Sequence, residues 1–349
     1  MSRNLWTMIA AVAVIVAMTV IMKLVPPAAV ASADPPAGGA AKAGPAPKTT
    51  WGDPDLQGIW TSKYQTPLER PAKYANKLTL TEEERADLDQ VRAKSARRDT
   101  RAQRGTESDV AGAYNAVFQS MKATGPRTSL IVDPPDGRIP ALVPLTPERE
   151  KRRAAVEEAG RRFNSGTPDS YLDAALPMRC IIRTDRPPYL PIIYNNTFQI
   201  FQSPGYVVIS VEMIHSARII PVDGRPHIGK SLHQWLGDSR ARWEGSTLVV
   251  ETTNFRSDDG VVYGNADPET FRIVERFERV DPNRINYTFT VEDPRTWTRP
   301  WTAMIPWNKT EDQLYEYACH EDNYDMVHFL AGARAREKAA GGAAKKEAR

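Results

Sequence analysis

One histidine ends a stretch of this sequence in which apolar and polar residues alternate. In residues 206–215 the odd positions are apolar, and His215 continues their series: Val207, Ile209, Val211 and Met213. Alternate side chains of a strand point to the same face, so the pattern predicts His215 at the end of a buried face. An imidazole there could act as an acid, a base or a ligand at the mouth of a pocket. The alternative is a hydrogen-bonded histidine that closes the core.

A carboxylate and a second histidine occur together near the C-terminus. Glu316 and His320 are predicted to share one side of a strand over residues 313–319, and Glu321 follows directly. A carboxylate beside an imidazole fixes its tautomer and raises its basicity. With His215 these residues could form an acid/base pair or bind Zn or Fe. Because their spacing matches no established metal motif, the predicted set is catalytic (His215, Glu316 and His320), and no metal site is predicted.

A polar stretch, residues 223–242, is rich in groups that bind anions or transfer protons. It contains Asp223, Arg225, His227, His233, Asp238, Ser239, Arg240 and Arg242. Paired arginines such as Arg240 and Arg242 could clamp a carboxylate or phosphate, and both are predicted, with Asp238, to contact a ligand. Asp238 and Ser239 with a histidine supply the components of a hydrolase triad, although the sequence has no Gly-x-Ser-x-Gly motif. The alternative is a loop that salt bridges make rigid.

Aromatic residues are frequent near the C-terminal end of the predicted domain. They are Trp297, Trp301, Trp307, Tyr315 and Tyr317. Such rings could line an apolar pocket or stack on a sugar, and Trp301 and Tyr317 are predicted to contact a ligand. The alternative is that the rings belong to a closed core, since large aromatic side chains dominate the energetics of cores.

The only two cysteines, Cys180 and Cys319, are far apart in the sequence. In an exported chain they can form one disulfide, which would close a long loop and stabilise the fold by about 4–5 kcal/mol in the chain-entropy model. The alternative is a thiol nucleophile at Cys319. Neither cysteine belongs to a CxxC pair, and an oxidising compartment favours the disulfide between Cys180 and Cys319.

The N-terminus carries an export segment. Arg3 precedes an apolar run of 18 residues from Leu5 to Met22, and a small-x-small site suited to signal peptidase follows at residues 31–33. The run is also just long enough to span a bilayer. The sequence fits both a cleaved signal peptide and a retained anchor in the inner membrane. Either places the protein in the periplasm or on the outer face of the inner membrane.

The formal net charge of +3 has its source in the C-terminal tail. Residues 331–349 have a net charge of +4, so the rest of the chain is close to −1. A basic tail can touch phosphates or anionic lipid, but a chain terminus is more often simply solvated. The domain has no basic stripe, and the predicted compartment holds no nucleic acid, so nucleic-acid binding is not expected.

The sequence divides into five segments. We predict a signal peptide or single anchor over residues 1–33, a Pro/Ala-rich linker over 34–50 and one mainly β domain over 51–330. A helical insertion over about 62–195 interrupts that domain. The basic tail over 331–349 is predicted to be disordered.

Two helices are predicted within the insertion. The first begins after Thr81, whose side chain can form a capping box with Glu84. The second begins at Thr146, has Pro147 at its first position and ends near Gly160.

From about residue 195 the hydrophobic period changes to two, which is typical of strands. The predicted strands are 197–203, 206–215, 217–222, 241–243 with 247–253, 271–280, 284–292, 301–307 and 313–319. Short turns between consecutive strands favour an antiparallel meander. Closing the meander into a barrel removes exposed edges, and a barrel of about eight strands commonly holds one small ligand. The predicted fold is therefore mainly β with a lipocalin-like barrel.

Two resemblances accompany this pattern. Gly58-x-Trp60 on an opening strand, followed by a meander, resembles the lipocalin and calycin pattern, in which the tryptophan plugs the closed end of the barrel. Longer motifs, covering nearly the whole mature chain, resemble a large uncharacterised family of exported bacterial proteins. They are Pro54-Asp55-Leu56-x-Gly58-x-Trp60, Ile131-Val132-Asp133-Pro134-Pro135-Asp136-Gly137, Glu212-Met213-Ile214-His215, Trp243-Glu244-Gly245-x-Thr247-Leu248-Val249-Val250, Trp297-Thr298-Arg299-Pro300-Trp301 and Tyr315-Glu316-Tyr317-Ala318-Cys319-His320-Glu321. This second resemblance implies no particular activity or site.

Three functions fit these observations. The first is a periplasmic barrel that binds a small apolar or aromatic ligand in a cavity. The second is a lyase, isomerase or hydrolase that uses a histidine and a carboxylate without an organic cofactor, and it predicts that His215, Glu316 and His320 converge. The third is a structural envelope protein that engages a partner through a broad apolar patch.

Overall fold

A computed structural model describes residues 47–96, 123–192, 194–256, 266–321 and 323–347. The predicted export segment lies outside these residues, as does most of the linker. Among the helices that are described, none is both long and apolar enough to cross a bilayer.

Twelve strands are found in the described part of the chain. They are β1 Gly58–Thr61, β2 Tyr64–Gln65, β3 Ala123–Thr124, β4 Ile131–Asp133, β5 Thr197–Ser203, β6 Tyr206–Val211, β7 Ala217–Pro221, β8 Asp238–Glu244, β9 Thr247–Thr253, β10 Arg272–Asp281, β11 Arg284–Glu292 and β12 Trp301–Lys309. Most bounds agree with the predicted strands. β8 begins three residues earlier than predicted.

Ten of these strands form one sheet that curls into a nearly closed barrel. The order is β7-β6-β5-β1-β12-β11-β10-β9-β8, with β4 paired to the first half of β12. All neighbouring strands in this order are antiparallel. The predicted mainly β fold with an antiparallel barrel is therefore confirmed. β2 and β3 form a separate parallel pair.

An odd number of strands leaves a seam in this barrel. Nine strands alternate in direction along the order above, so the end strands β7 and β8 run the same way where they approach each other. No ladder joins the two within the described sheet. Residues 222–237, which connect β7 to β8, must therefore return along the whole length of the barrel.

The two ends of the barrel differ. At one end, which we call the closed end, tight turns join β5 to β6, β8 to β9 and β10 to β11. Gly205 and Gly245 adopt the left-handed backbone (φ of 80° and 63°) that such turns require. Trp60 is fully buried there, donates from Nε1 to the Leu56 carbonyl at 2.9 Å and lies under the Arg279 guanidinium. Trp60 is therefore part of the buried core next to Arg279.

The opposite end, which we call the loop end, carries the longer connections. The strand registers place there the links β1–β5, β6–β7, β9–β10 and β11–β12. The connection 222–237 also arrives at this end, at the start of β8. Most of the polar residues singled out in the sequence therefore belong to the loop end.

Alternation places the core inside the barrel. On β11 the predicted inward residues are fully buried: Ile285, Tyr287, Phe289 and Val291. Asn286, Thr288 and Thr290 face outward. The same parity on β12 buries Trp301, Ala303, Ile305 and Trp307. The core is thus continuous from the closed end to the loop end.

The described parts of the insertion, residues 62–96, 123–192 and 194–195, contain the two predicted α-helices. α1 spans Glu82–Ala96, and Thr81 and Glu84 form the predicted capping box. α2 spans Pro147–Ser165 with Thr146 as its N-cap. It passes through Gly160 and ends at Ser165, so the predicted end was five residues too early; Gly166, with φ of 72°, is its left-handed C-cap.

The C-terminal segment differs from its predictions in two places. Residues 313–319 form no strand, because β12 already has partners on both edges and the segment leaves the barrel after Lys309. The tail is not disordered from residue 331, since helix α3 spans Asp325–Glu347. Its Ala, Lys, Arg and Glu residues are strong helix formers.

Candidate functional site

The strand that was predicted to carry His215 ends before it. β6 stops at Val211, whose N–H bonds the Ser216 carbonyl at 2.9 Å and closes a tight link to β7. Residues 213–215 form a 3-10 turn, and His215 is exposed. The prediction that His215 continues the buried face is therefore wrong. Residues 214 and 215 have left-handed φ values of 61° and 50°, which is uncommon for any non-glycine residue and costly for the β-branched Ile214.

His215 makes one defined contact. Its Nδ1 lies 2.6 Å from the carbonyl oxygen of Tyr317. A carbonyl oxygen only accepts, so His215 Nδ1 is the donor. The predicted ligand residue Tyr317 thus meets the predicted catalytic histidine through its backbone, with its ring packed against the core.

Glu316 and His320 lie on the exposed side of the same segment. In the described structure neither side chain hydrogen-bonds to His215, and the expected convergence of the three residues is not seen. The segment's alternate residues, Tyr317 and Cys319, pack against the core instead.

The predicted disulfide is confirmed. Cys180 and Cys319 are bonded across a sequence separation of 139 residues. The bond ties the segment after β12 to residues 176–189, which precede β5 at the loop end. Asn323 strengthens this junction by donating from Nδ2 to the Met178 carbonyl at 3.0 Å.

A buried carboxylate joins this junction to the His215 turn. Asp185 is 1% exposed and accepts from the Arg183 N–H at 2.6 Å and from the Ser216 hydroxyl at 2.7 Å. Burial raises the pKa of Asp185 above its usual value. Since Ser216 directly follows His215, the Asp185 bond fixes the turn to residues 183–189.

The second histidine at the loop end is oriented by an aspartate. His227 Nδ1 lies 2.7 Å from Oδ2 of the buried Asp238, and its Nε2 lies 3.6 Å from Oε1 of Glu251. Asp238 also accepts from the Ile228 N–H at 3.1 Å and from Arg240 Nη1 at 2.7 Å. The imidazole is held in one plane, with a second carboxylate facing its free nitrogen.

The predicted ligand residues Arg240 and Arg242 form hydrogen bonds and ion pairs with other groups of the protein. Arg240 also donates from Nε to the Pro226 carbonyl at 2.8 Å, and Arg242 pairs with Glu244 at 2.5 Å. Ser239 points to the opposite face of β8, into the barrel. Asp238, Ser239 and His227 therefore form no triad, and this part of the loop is organised by salt bridges, the alternative weighed in the sequence.

Inside the barrel lies a polar cluster that the sequence analysis missed. Arg218 of β7 forms a bidentate ion pair with Glu275 of β10, and both side chains are almost completely buried. The remaining partners of Arg218 are the side-chain oxygens of Ser239, Thr252 and Tyr189. Glu275 also accepts from the Tyr287 hydroxyl at 2.8 Å. Every N–H of the guanidinium has an acceptor.

This cluster shifts the ionisation of its members. Burial raises the pKa of Tyr189 to about 12 and that of Tyr287 well above its usual value. Burial by itself would lower the pKa of Arg218, and the Glu275 carboxylate raises it. Two phenols whose pKa is raised therefore lie beside the Arg218–Glu275 ion pair. The sequence signal for the cluster was alternation, since Arg218 and Glu275 occupy inward positions directly next to buried apolar inward residues, Ile220 on β7 and Ile273 and Phe277 on β10.

Aromatic rings fill the rest of the interior. Trp307 stacks on Phe198 with centroids 4.3 Å apart, and Tyr189, Phe277 and Tyr287 surround its indole. Trp307 Nε1–H is buried and has no acceptor. Trp301, predicted to contact a ligand, is fully buried beside Phe289 and Trp297.

No cofactor or metal set follows from these contacts. Within the residues that the structure describes, no three His, Cys, Asp or Glu side chains converge in a way that could hold a metal ion. Comparison of the chain with protein-family models, curated proteins and solved structures gives no match.

Proposed function

We propose that this chain is an exported β-barrel protein that binds one small aromatic molecule inside the barrel. The observation that carries the proposal is the Trp307 indole N–H, buried among aromatic rings without an acceptor. Leaving such a donor unpaired costs about 1–3 kcal/mol, and buried polar groups are almost always paired. A guest with one acceptor atom would remove that cost.

The architecture supports the same proposal. Trp60 and Arg279 lie at the closed end, while the loop end carries the longer irregular connections. The side chains packed around Trp307 are the aromatic rings of Phe198, Phe277 and Tyr287, and an aromatic lining suits a flat apolar guest. Small-ligand sites are commonly apolar with a few placed polar groups.

Export is part of the proposal. The Cys180–Cys319 disulfide supports it, since disulfides persist in oxidising compartments. The N-terminal segment with its signal-peptidase site supports it as well. We place the protein in the periplasm or on the outer face of the inner membrane.

The test is a titration of the purified protein with toluene, anisole and acetophenone, followed by calorimetry and tryptophan fluorescence. Saturable binding is expected, with anisole and acetophenone tighter than toluene because they carry an acceptor. Trp307→Phe keeps the ring and removes the donor, so acetophenone affinity should fall by about 1 kcal/mol, roughly fivefold.

The matched control is Trp60→Phe, because the Trp60 N–H already has the Leu56 carbonyl as its acceptor. The acetophenone affinity of Trp60→Phe should match that of the parent protein. Binding that is absent for all three probes, or equal in both tryptophan variants, would contradict the proposal.

A second candidate function rests on the oriented His227. An imidazole that donates to Asp238 has its Nε2 free to take a proton, as a cofactor-independent lyase, isomerase or hydrolase requires. His227→Gln should abolish any turnover of an ester or hydroxy-acid panel, while His233→Gln, an exposed histidine of the same loop, should not. Absence of turnover in the parent protein would exclude this candidate for the substrates tested.

A further inference from the structure

In the described core, the ring of Tyr189 lies beside Trp307 although it does not come from a barrel strand. Tyr189 belongs to the irregular segment between α2 and β5, yet it is only 1% exposed. Its ring lies among strand residues of the core, 5.1 Å from Phe198, 5.9 Å from Tyr287 and 5.9 Å from Trp307, measured between centroids. A tethered side chain thus occupies the place that a free guest would take.

The surroundings of Tyr189 define the chemistry of that place. The ring has aromatic neighbours, and the hydroxyl accepts from Arg218 Nη1 at 3.4 Å. That distance is at the long end for a hydrogen bond. A free ring of the same shape could move toward Arg218 and shorten the bond.

The charge of the cluster selects against anions. Glu275 already compensates Arg218 with a bidentate ion pair. A carboxylate or phenolate guest would bring a second negative charge next to Glu275, in a region without solvent, where an unpaired charge is very costly. A neutral hydroxyl can accept from Arg218 without that cost.

We propose that the interior site takes a neutral phenol, a single aromatic ring with one hydroxyl, and that Tyr189 is the internal occupant that the phenol displaces. The inference rests on the proposed function and names its ligand class. The residues that carry Tyr189, 180–189, act as a plug at the loop end.

Two hydrogen bonds connect the plug to strand β11 and to the turn after His215. The Tyr189 N–H donates to the Tyr287 hydroxyl at 3.1 Å, and Asp185 accepts from Ser216. The Cys180–Cys319 disulfide anchors the start of the plug, so the segment can swing out without leaving the protein. Only molecules with an open plug can bind the phenol, so the apparent phenol affinity of the parent protein is the intrinsic affinity multiplied by the open fraction.

The test compares the parent protein with Tyr189→Ala, using p-cresol, toluene and 4-methylbenzoate as probes in calorimetry and thermal unfolding. p-Cresol is expected to bind Tyr189→Ala at least about tenfold more tightly than the parent, because no plug competes. Toluene should bind about fivefold more weakly than p-cresol, as expected for one lost hydrogen bond, and 4-methylbenzoate should not bind. Tyr171→Ala, which removes an exposed tyrosine, should behave like the parent.

Amide hydrogen exchange distinguishes displacement of the plug from a purely structural role of Tyr189. p-Cresol should speed amide exchange in residues 181–192 of the parent protein and leave β11 unchanged. If Tyr189→Ala fails to fold, Tyr189→Phe replaces it, and p-cresol should bind this variant several-fold more tightly than the parent because the closed plug loses its bond to Arg218.

Two outcomes would overturn the inference. One is that p-cresol binds the parent protein without changing amide exchange in the plug, or that neither Tyr189 variant changes the p-cresol affinity. In that case, acetophenone binding that depends on Trp307 would still support the proposed function. The other is p-cresol binding to Tyr189→Ala alone, which would show an engineered cavity and no natural site.

Discussion

Removal of Glu275 tests the interior cluster most directly. Glu275→Leu leaves the Arg218 guanidinium buried without its counter-ion, since both side chains are within 3% of complete burial. Breaking a buried ion pair on one side costs about 3–5 kcal/mol. The free energy of unfolding of a domain is about 5–15 kcal/mol, so the variant should lose a large part of its stability.

The double variant Arg218→Met with Glu275→Leu separates the ion pair from its surroundings. Ser239 and Thr252 still bond each other at 3.1 Å, and the Tyr287 hydroxyl still accepts from the Tyr189 N–H. Two hydroxyls lose a partner: the Tyr287 O–H loses its acceptor Glu275, already in the single variant, and the Tyr189 hydroxyl loses its donor Arg218, at about 1–3 kcal/mol each. The double variant removes the unpaired buried charge and should therefore regain part of the stability that the single variant loses.

Urea unfolding followed by circular dichroism measures both effects. Glu278→Leu is the control, because Glu278 lies on the same strand and is exposed; it should change the free energy of unfolding by no more than about 0.5 kcal/mol. A loss below about 1 kcal/mol for Glu275→Leu, or a double variant no more stable than the single one, would refute the reasoning.

Three further predictions follow from other parts of the fold. Replacement of Cys180 and Cys319 by serine opens a loop of 139 residues and should lower the free energy of unfolding by about 5 kcal/mol in the chain-entropy model; a urea midpoint that matches the parent under oxidising conditions would contradict it. Burial raises the pKa of Asp185, so the native state binds that proton more tightly than the unfolded chain does, and stability falls as the pH rises from about 4 through the native pKa. The stability of Asp185→Asn relative to the parent should therefore increase over that pH range, and a flat difference in urea titrations would exclude the effect. Gly237→Ala should cost about 1–3 kcal/mol more than Gly205→Ala in thermal unfolding; both glycines have left-handed φ values, but only at Gly237 would a Cβ meet neighbouring atoms, at 2.6 Å from Thr252 Cγ2 and 2.8 Å from the Thr253 carbonyl.

The barrel could be predicted because its strands have two different faces. On β11 the inward residues are all apolar and the outward ones all polar, so the period of two is unambiguous. The caps of α1 and α2 were equally local, since Thr81 and Thr146 act within one turn of their own helices. The disulfide followed from there being only two cysteines.

Strand ends were harder to predict, because alternation does not report whether a partner edge exists. Residues 313–319 alternate well enough for a strand, but β12 has β11 on one edge and β1 and β4 on the other. His215 fits the parity of β6, yet the chain must turn after Val211 to reach β7 within five residues. Both errors concern tertiary pairing that a local pattern does not contain.

The contacts of the candidate site depend on residues far apart in sequence. His227 meets Glu251, and Arg218 meets Glu275, 57 positions away. Sequence parity alone marks Arg218 and Glu275 as charged residues at inward positions, and opposite charges on two inward faces indicate a buried pair. No comparable pattern in the sequence identifies their partners Tyr189 and Ser239 as members of the cluster.

The seam explains why this barrel needs an internal ion pair. β7 and β8 are parallel where they meet, and no ladder of the described sheet connects them. Arg218 on β7 donates to Ser239 on β8, to Thr252 on β9 and to Glu275 on β10. One side chain thus holds the first strand of the sheet to the last three, in place of backbone hydrogen bonds. Because the same guanidinium also bonds the Tyr189 hydroxyl, closure of the seam and occupation of the interior are coupled through Arg218.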